Sequence, residues 1–368
     1  MGGIGLKAKQ TVFKLIRNVL RPFYGRNIWL ISDRRVSAGD NGEAFFKYLQ
    51  DKRVNAVFAL GKESKDYDRL MQIGKVIQYD SFLYKLLLCV ADCHCSSQLI
   101  HMESHRETPQ IFLQHGVAAN DISRMINPAS HENFYMITSS RQERDYMLRD
   151  DFVIDEDHLW LTGLTRFDYL NNDPKKIIVV EFTWRAYLSA LSDEEFMDSK
   201  YYKTIKSIME DKRLSDELAK RGYKLCLRLH PEIEWRRDLF PDNACCSFYT
   251  DSYNKMYSEA ELIVTDYSSA IFDFAYLRKS IIYYQFDGDE YYKNNPFTKK
   301  GFFDYEKDGF GPVVKDYSIL ANMLIEMADK GCASDEVYKD RMDRIFAFND
   351  KNSCERTYKK IVELLSNK

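Results

Sequence analysis

At 368 residues, 45% hydrophobic and 30% charged, the chain is long enough for about two domains and too apolar to be disordered. A formal net charge of −3 argues against general nucleic-acid binding. No run reaches the ~18 apolar residues of a membrane-spanning helix, and the first twenty residues lack the continuous apolar core of a secretory signal.

The first predicted element is a basic amphipathic helix within residues 1–26. Six bases stand there (Lys7, Lys9, Lys14, Arg17, Arg21 and Arg26), and no acid precedes Asp33. Val12, Phe13, Ile16, Val19, Leu20 and Phe23 recur at spacings of three and four, which predicts one apolar face. Such a helix suits an anionic membrane surface, through residues 7–26, or packing on its own domain with a solvated basic face.

From Asn27, short apolar runs alternate with helical patterns. "NIWLIS", "VNAVFAL", "KVIQY", "SQLIH", "PQIFLQHG", "FYMITSS" and "HLWLTG" read as strands; "GEAFFKYLQ", "FLYKLLLCVADC" and "RQERDYMLRD" read as helices. The alternation predicts βαβ units and a mostly parallel sheet, a Rossmann-like domain over residues 27–170. The tract "CVADCHC" has the density of a zinc site, but no second ligand pair follows, so Cys89 is expected to pack inside its helix. With no framework spacing among the eight cysteines, reduced cytoplasmic thiols are expected. "LNNDPKK" breaks the rhythm and reads as a linker. Strands resume with "IIVVEF", "KLCLRLH", "SFYT", "LIVTD" and "SIIYYQF", with helix around Lys203 to Arg221, predicting a second Rossmann-like domain over 176–333 and a helical tail over 334–368. The fold class is therefore α/β, two Rossmann-like domains with a cleft between them, and ligands are expected beyond the carboxyl ends of the strands.

Polar residues stand at those ends. In "VTDYSSAIFDFAYL", Asp266 ends a strand, and Ser268 and Ser269 stand where a helix should begin. Serine caps a helix, and the same helix end suits a phosphate; the two readings share the same residues. His115 closes "IFLQHG" beside Gly116, and His230 closes "KLCLRLH" before Pro231. A strand-end histidine is commonly a structural hydrogen-bonder. One per domain, among seven in the chain, points further: neutral imidazole can take a proton near pH 7, and its N–H can hold a phosphate oxygen. Thr183 and Arg185 follow "IIVVEF", and Arg228 lies in "KLCLRLH"; an arginine fork matches phosphate oxygens. Arg166 and Asp168 follow "HLWLTG" and could pair to fix the linker. Asp40 and Asn41 lie in the first strand-to-helix loop, as helix caps or on the acceptor side.

In order along the chain, "FLQHG", "GLTRFDYL", "FTWR", "LRLHP", "VTDYSSAIFDFAYLRKSIIYYQFDGDEYY" and "GPVV" resemble the CDP-glycerol glycerophosphotransferases, which include teichoic-acid primases and polymerases and related CDP-ribitol and capsule enzymes. The likeness covers about Asn27 to Val314, and its specific part is the "TDYSS…FDFA" block with "LHP" upstream. It implies a GT-B arrangement, transfer of an alditol phosphate from a CDP-alditol to a hydroxyl of a lipid-linked or polymer glycan acceptor, and release of CMP. It implies His115 as general base and His230 as the residue binding the donor's phosphates, with Thr183, Arg185, Arg228, Asp266, Ser268 and Ser269 on the donor side. Asp40, Asn41 and Arg166 are expected on the acceptor side. Location on the inner face of the cell membrane would follow. Two departures stand out: Gln114 where the family often has tryptophan, which could alter the acceptor pocket, and Phe182 where it often has proline. No D-x-D metal motif closes a strand in the C-terminal half, "DGD" at Asp287 to Asp289 reads as a family tract, no cofactor is expected, and a Mg²⁺ requirement stays open. Two other readings compete: a GT-B glycosyltransferase using a nucleotide sugar, and a non-catalytic glycan- or lipid-binding scaffold.

Overall fold

In the computed structural model the described residues are 2–24, 27–100, 106–241, 245–288, 290–293 and 299–367, with backbone alone for 2–10 and 24. The chain divides into two compact units. The first comprises Met1–Val117, Ser123–Tyr169 and Phe346–Lys368; the second comprises Ala118–Ile122 and Leu170–Ile345.

The first unit holds a seven-stranded sheet in the order β3-β2-β1-β4-β5-β6-β7. Its strands are β1 (Ile28–Ser32), β2 (Asn55–Leu60), β3 (Lys75–Gln78), β4 (Cys93–Ser96), β5 (Gln110–Phe112), β6 (Phe134–Thr138) and β7 (Leu159–Leu161), all paired in parallel. Central strands are buried along their whole length, which is why they read as continuous apolar runs rather than alternating ones. The second unit holds a six-stranded parallel sheet, β10-β9-β8-β11-β12-β13. Here β8 is Ile177–Glu181, β9 Lys224–Arg228, β10 Ser247–Phe248, β11 Ala260–Thr265, β12 Ser280–Tyr284 and β13 Val313–Val314. Its core gathers Ile178, Val180, Leu225, Leu227, Leu262 and Val264 from the sheet with Phe196, Ile205, Leu214 and Leu324 from the helices.

Strand β4 corrects one expectation. The helix Phe82–Val90 ends at Ala91, and "CHCS", not "SQLIH", pairs between β1 and β5. The polar residues of β4 hide it from a hydrophobicity reading, and they are paid for locally: His94 Nε2 lies 3.1 Å from the Ser32 hydroxyl, which donates to Ser96 Oγ. His101, the last residue of the "SQLIH" reading, lies outside the described residues.

Helix α1 (Gly2–Tyr24) forms, but its apolar residues do not share one face. Phe13, Ile16 and Leu20 pack on the first unit's core. Val12, Leu15, Val19 and Phe23 form an adjacent row that stays 53%, 64%, 53% and 81% exposed. Two bases turn inward: Arg17 donates to the carbonyls of Cys89 and Ala91 and to Thr108 Oγ1, and Arg21 pairs with Asp92. Of the described bases, Arg17 and Arg21 are thus engaged by the protein's own carbonyls, hydroxyl and acid, while Lys14 stays 59% exposed beside Glu107. The side chains of Lys7 and Lys9, and all of Arg26, lie outside the described residues. No described helix is long and apolar enough to cross a membrane.

The C-terminal tail is divided between the units. Helix Glu336–Ile345 belongs to the second, while helix Ser353–Ser366 packs on the first.

Candidate functional site

In the first unit the site residues gather at the carboxyl ends of β1 and β5. Directly after β1, the Asp33 carboxylate is buried and accepts the backbone N–H groups of Asp40, Gly42 and Glu43. This locks the loop onto the first turn of α2 (Asn41–Gln50). Gly42 is needed there, since a Cβ would stand 2.5 Å from both Asp33 Oδ1 and Ser32 O. Asp33 was missed in the sequence, where only Asp40 and Asn41 of this loop stood out.

Asp40 is the N-cap of α2 and accepts from Asn41 N at 2.7 Å and Arg166 Nη1 at 2.6 Å. Arg166 therefore does not pair with Asp168, as one sequence reading allowed. Asp168 instead accepts the N–H groups of Ser353 and Cys354 and caps the last helix. Asn41 is fully buried, which corrects its expected place among acceptor-contacting residues.

His115 follows β5. The left-handed residue of this turn is Gln114, at φ 58°, rather than Gly116. The Gln114 amide is buried and donates to Ile137 O at 2.5 Å and Glu143 Oε1 at 3.1 Å, so this departure from the family pattern fills the unit's interior and does not face an acceptor. His115 is open to solvent, and its Nδ1 lies 3.3 Å from Ser97 O. A carbonyl can only accept, so Nδ1 carries the proton and Nε2 keeps its lone pair. Desolvation by the surrounding protein lowers the His115 pKa from 6.5; Asp40 pulls it up, while Arg34 and Arg166 push it down. The ring is neutral at pH 7, with its basic nitrogen Nε2 unprotonated.

The second unit arranges its residues at the carboxyl ends of β8, β9 and β11. Arg185 corrects the expectation most clearly. Its side chain is 2% exposed; Nη2 donates to Asp266 Oδ2 at 2.7 Å, Nε to Asp287 Oδ2 at 2.8 Å, and Nη1 to Thr183 O. Tyr267 and Tyr291 flank the guanidinium. Burial opposes its charge, but Asp266 and Asp287 hold it protonated. Asp266 is likewise fully buried and accepts from Thr183 N at 2.8 Å and Tyr267 N at 2.6 Å. Both residues join loops beneath the site and do not reach outward to a phosphate.

The serines also differ from expectation. The helix after β11 spans only Ile271–Tyr276, and its N-cap is Ala270, without a side-chain cap. An extra turn intervenes, in which Ser268 Oγ accepts from Ala270 N at 3.1 Å. Ser268 and Ser269 are half-buried in that loop, and a helix of six residues adds little dipole.

His230 is half-buried and caps the 3₁₀ segment Pro231–Leu239. The amide of Glu232 donates to its Nδ1 at 3.3 Å, so in the neutral ring the proton sits on Nε2. The ring stacks on Trp184, with centroids 6.1 Å apart. Arg228 lies over the Tyr253 ring at 3.9 Å and donates to Asp251 O. Opposite it in register, Glu181 is buried; burial raises its carboxyl to about 7, against Tyr253 and Arg228 beside it. Among the described residues, Glu181 Oε2, Thr183 Oγ1 and Arg228 Nε are buried polar atoms without a hydrogen-bond partner. Trp184, Glu181 and Tyr253 were missed as site residues. Glu181 stands in the quoted "IIVVEF" and Trp184 in "FTWR", but nothing local says that they meet residues some 45 positions away.

Among the described residues no group of three His, Cys, Asp or Glu side chains could hold a metal ion. Cys93 and Cys95, from the tract weighed for zinc, lie with sulfurs 3.9 Å apart and buried. Asp287 is paired with Arg185, and Asp289 lies outside the described residues.

The family model for CDP-glycerol:poly(glycerophosphate) glycerophosphotransferase matches residues 14–363. The minor teichoic acid biosynthesis protein GgaB of Bacillus subtilis (strain 168) is 30% identical over 98% of this chain, which spans 42% of GgaB's length. The teichoic acid glycerol-phosphate transferase of Staphylococcus aureus (strain NCTC 8325 / PS 47) is also 30% identical, over 86% of this chain and 90% of its own. Among solved structures, the wall teichoic acid polymerase TagF superposes with a TM-score of 0.72 at 16% identity, covering 100% of this chain and 99% of that one. That likeness shows the fold, an α/β GT-B-like pair of Rossmann-like units.

Proposed function

Because the chain belongs to the CDP-glycerol:poly(glycerophosphate) glycerophosphotransferase family, we propose that it transfers an alditol phosphate, glycerol phosphate first, from a CDP-alditol to a hydroxyl of a teichoic acid-like or capsule polymer, releasing CMP. The acceptor oxygen attacks the phosphorus next to the alditol. His115 Nε2 takes the hydroxyl proton as the new P–O bond forms. The bond from that phosphorus to the bridging oxygen breaks, and CMP leaves with that oxygen. His230 Nε2–H stabilises the charge gathering on the phosphates, with Arg228, Thr183, Ser268 and Ser269 beside it on the donor side. Arg185 and Asp266 hold that side in shape, and the Asp40–Arg166 pair flanks the base.

The observation that carries this reading is the opposite contact at Nδ1 of the two rings. A carbonyl beside His115 Nδ1 leaves Nε2 free to accept a proton, and an amide donating to His230 Nδ1 leaves its proton on Nε2, which suits a base and a donor. The reading is tested by offering the protein CDP-glycerol, CDP-ribitol and nucleotide sugars, with a glycerol phosphate oligomer as acceptor. CMP released from a CDP-alditol supports it; release of a nucleotide from a nucleotide sugar alone contradicts it.

The same proposal includes a peripheral position on the inner face of the membrane. The support is the exposed row Val12, Leu15, Val19 and Phe23 on α1, so the attraction would be mainly apolar rather than electrostatic.

A further inference from the structure

We infer that Asn41 is a positioning residue for the base: it clamps the carbonyl of Gln114 and thereby sets the direction of His115. The inference rests on the reading of His115 as the base. Asn41 is fully buried, and its amide has two jobs on two loops. Nδ2 donates to Gln114 O at 2.8 Å. Oδ1 accepts from Arg166 N at 2.9 Å and from the Thr165 hydroxyl at 3.2 Å. The Thr165 hydroxyl also reaches Asn41 O at 2.7 Å. One side chain therefore ties the start of α2 to the turn that carries His115 and to the loop that carries Arg166.

The clamp is needed because Gln114, at φ 58°, holds a conformation that non-glycine residues rarely adopt. Two grips hold it there. Its own amide is fixed inside the unit by Ile137 O and Glu143, and its carbonyl is fixed by Asn41. His115 is the next residue, so rotation about Gln114 swings the imidazole directly. Asn41 is itself held, since Asp33 fixes the loop and first turn on either side of it. Only an amide does both jobs. Aspartate can accept from Arg166 N and Thr165 but sets a carboxylate oxygen against the Gln114 carbonyl.

The test compares Asn41→Ala, Asn41→Asp and His115→Ala in the full chain, with CDP-glycerol and a glycerol phosphate oligomer, reading kcat, donor KM and donor binding by calorimetry. Both Asn41 variants are expected to lose about tenfold to a hundredfold in kcat, with donor KM and binding unchanged, as for a base displaced by about an ångström. Unchanged kcat in Asn41→Asp, with kcat lost in His115→Ala, overturns the clamp alone. A parallel loss of donor binding in the Asn41 variants also overturns it, because that marks a general structural role. Unchanged kcat in His115→Ala overturns the reading beneath it. If neither Asn41 variant folds, Asn41→Ser decides: its hydroxyl is too short to reach the Gln114 carbonyl that Asn41 Nδ2 holds, and unchanged kcat there, with kcat lost in His115→Ala, overturns the proposal.

Discussion

His115 and His230 are the same residue type set in opposite tautomers by single backbone contacts. A histidine beside a carbonyl is a base at its far nitrogen, and one beside an amide is a donor there. Because desolvation lowers the His115 pKa below 6.5, the acid limb of kcat/KM should have its midpoint below that value. A midpoint above 6.5 would contradict the assignment. His115→Ala should cost about 10²- to 10⁴-fold in turnover while donor binding survives. Arg185 behaves differently because it is buried between two acids. Arg185→Ala leaves Asp266 and Asp287 uncompensated and should cost about 3–5 kcal/mol of stability, read by denaturant unfolding. A merely phosphate-binding arginine would show weaker donor binding with unchanged stability. The sequence showed that an arginine stands after β8, but not which way it points. Its partners lie 81 and 102 residues further on.

At the level of elements, legibility followed hydrophobicity. Runs such as "IWLIS" and "IIVVE" are buried on both sheet faces and could be read directly. "CHCS" could not, because a central strand there is built from small polar residues satisfied by neighbours that only the fold supplies. The residues of α1 were readable as a helix, but 3.6-residue spacing cannot separate two adjacent apolar rows. Their division makes a prediction: changing Leu15 and Phe23 to serine should reduce sedimentation with anionic vesicles, and added salt should matter little. Salt-sensitive binding that ignores those two changes would show that charge does the docking. At the end of β8, Glu181 is favoured in its neutral form, raised from 4.5 to about 7. Its contribution to stability is complete below pH 4.5 and lost as pH rises through about 7. Glu181→Gln should therefore match the parent chain near pH 4.5 and exceed it above pH 7, by at most about 3 kcal/mol. Thermal melts across that range check this, and a difference independent of pH would refute it.

For the whole molecule, two parallel sheets were legible because the βαβ rhythm repeats on either side of "LNNDPKK". Long-range membership was not. Residues 118–122 join the second unit and helix Ser353–Ser366 joins the first, through contacts such as Asp121 N to Lys299 O and Asp168 to the amides of Ser353 and Cys354. The family match spans both units, and each unit holds one of the two histidines. The division of labour between them is best tested by calorimetric titration of CDP-glycerol into the parent chain, His115→Ala and His230→Ala, with CMP release measured on the same samples. The account predicts full binding without release for His115→Ala, and binding weakened about tenfold to a hundredfold for His230→Ala. Undiminished CMP release from His115→Ala, or undiminished binding by His230→Ala, would contradict it.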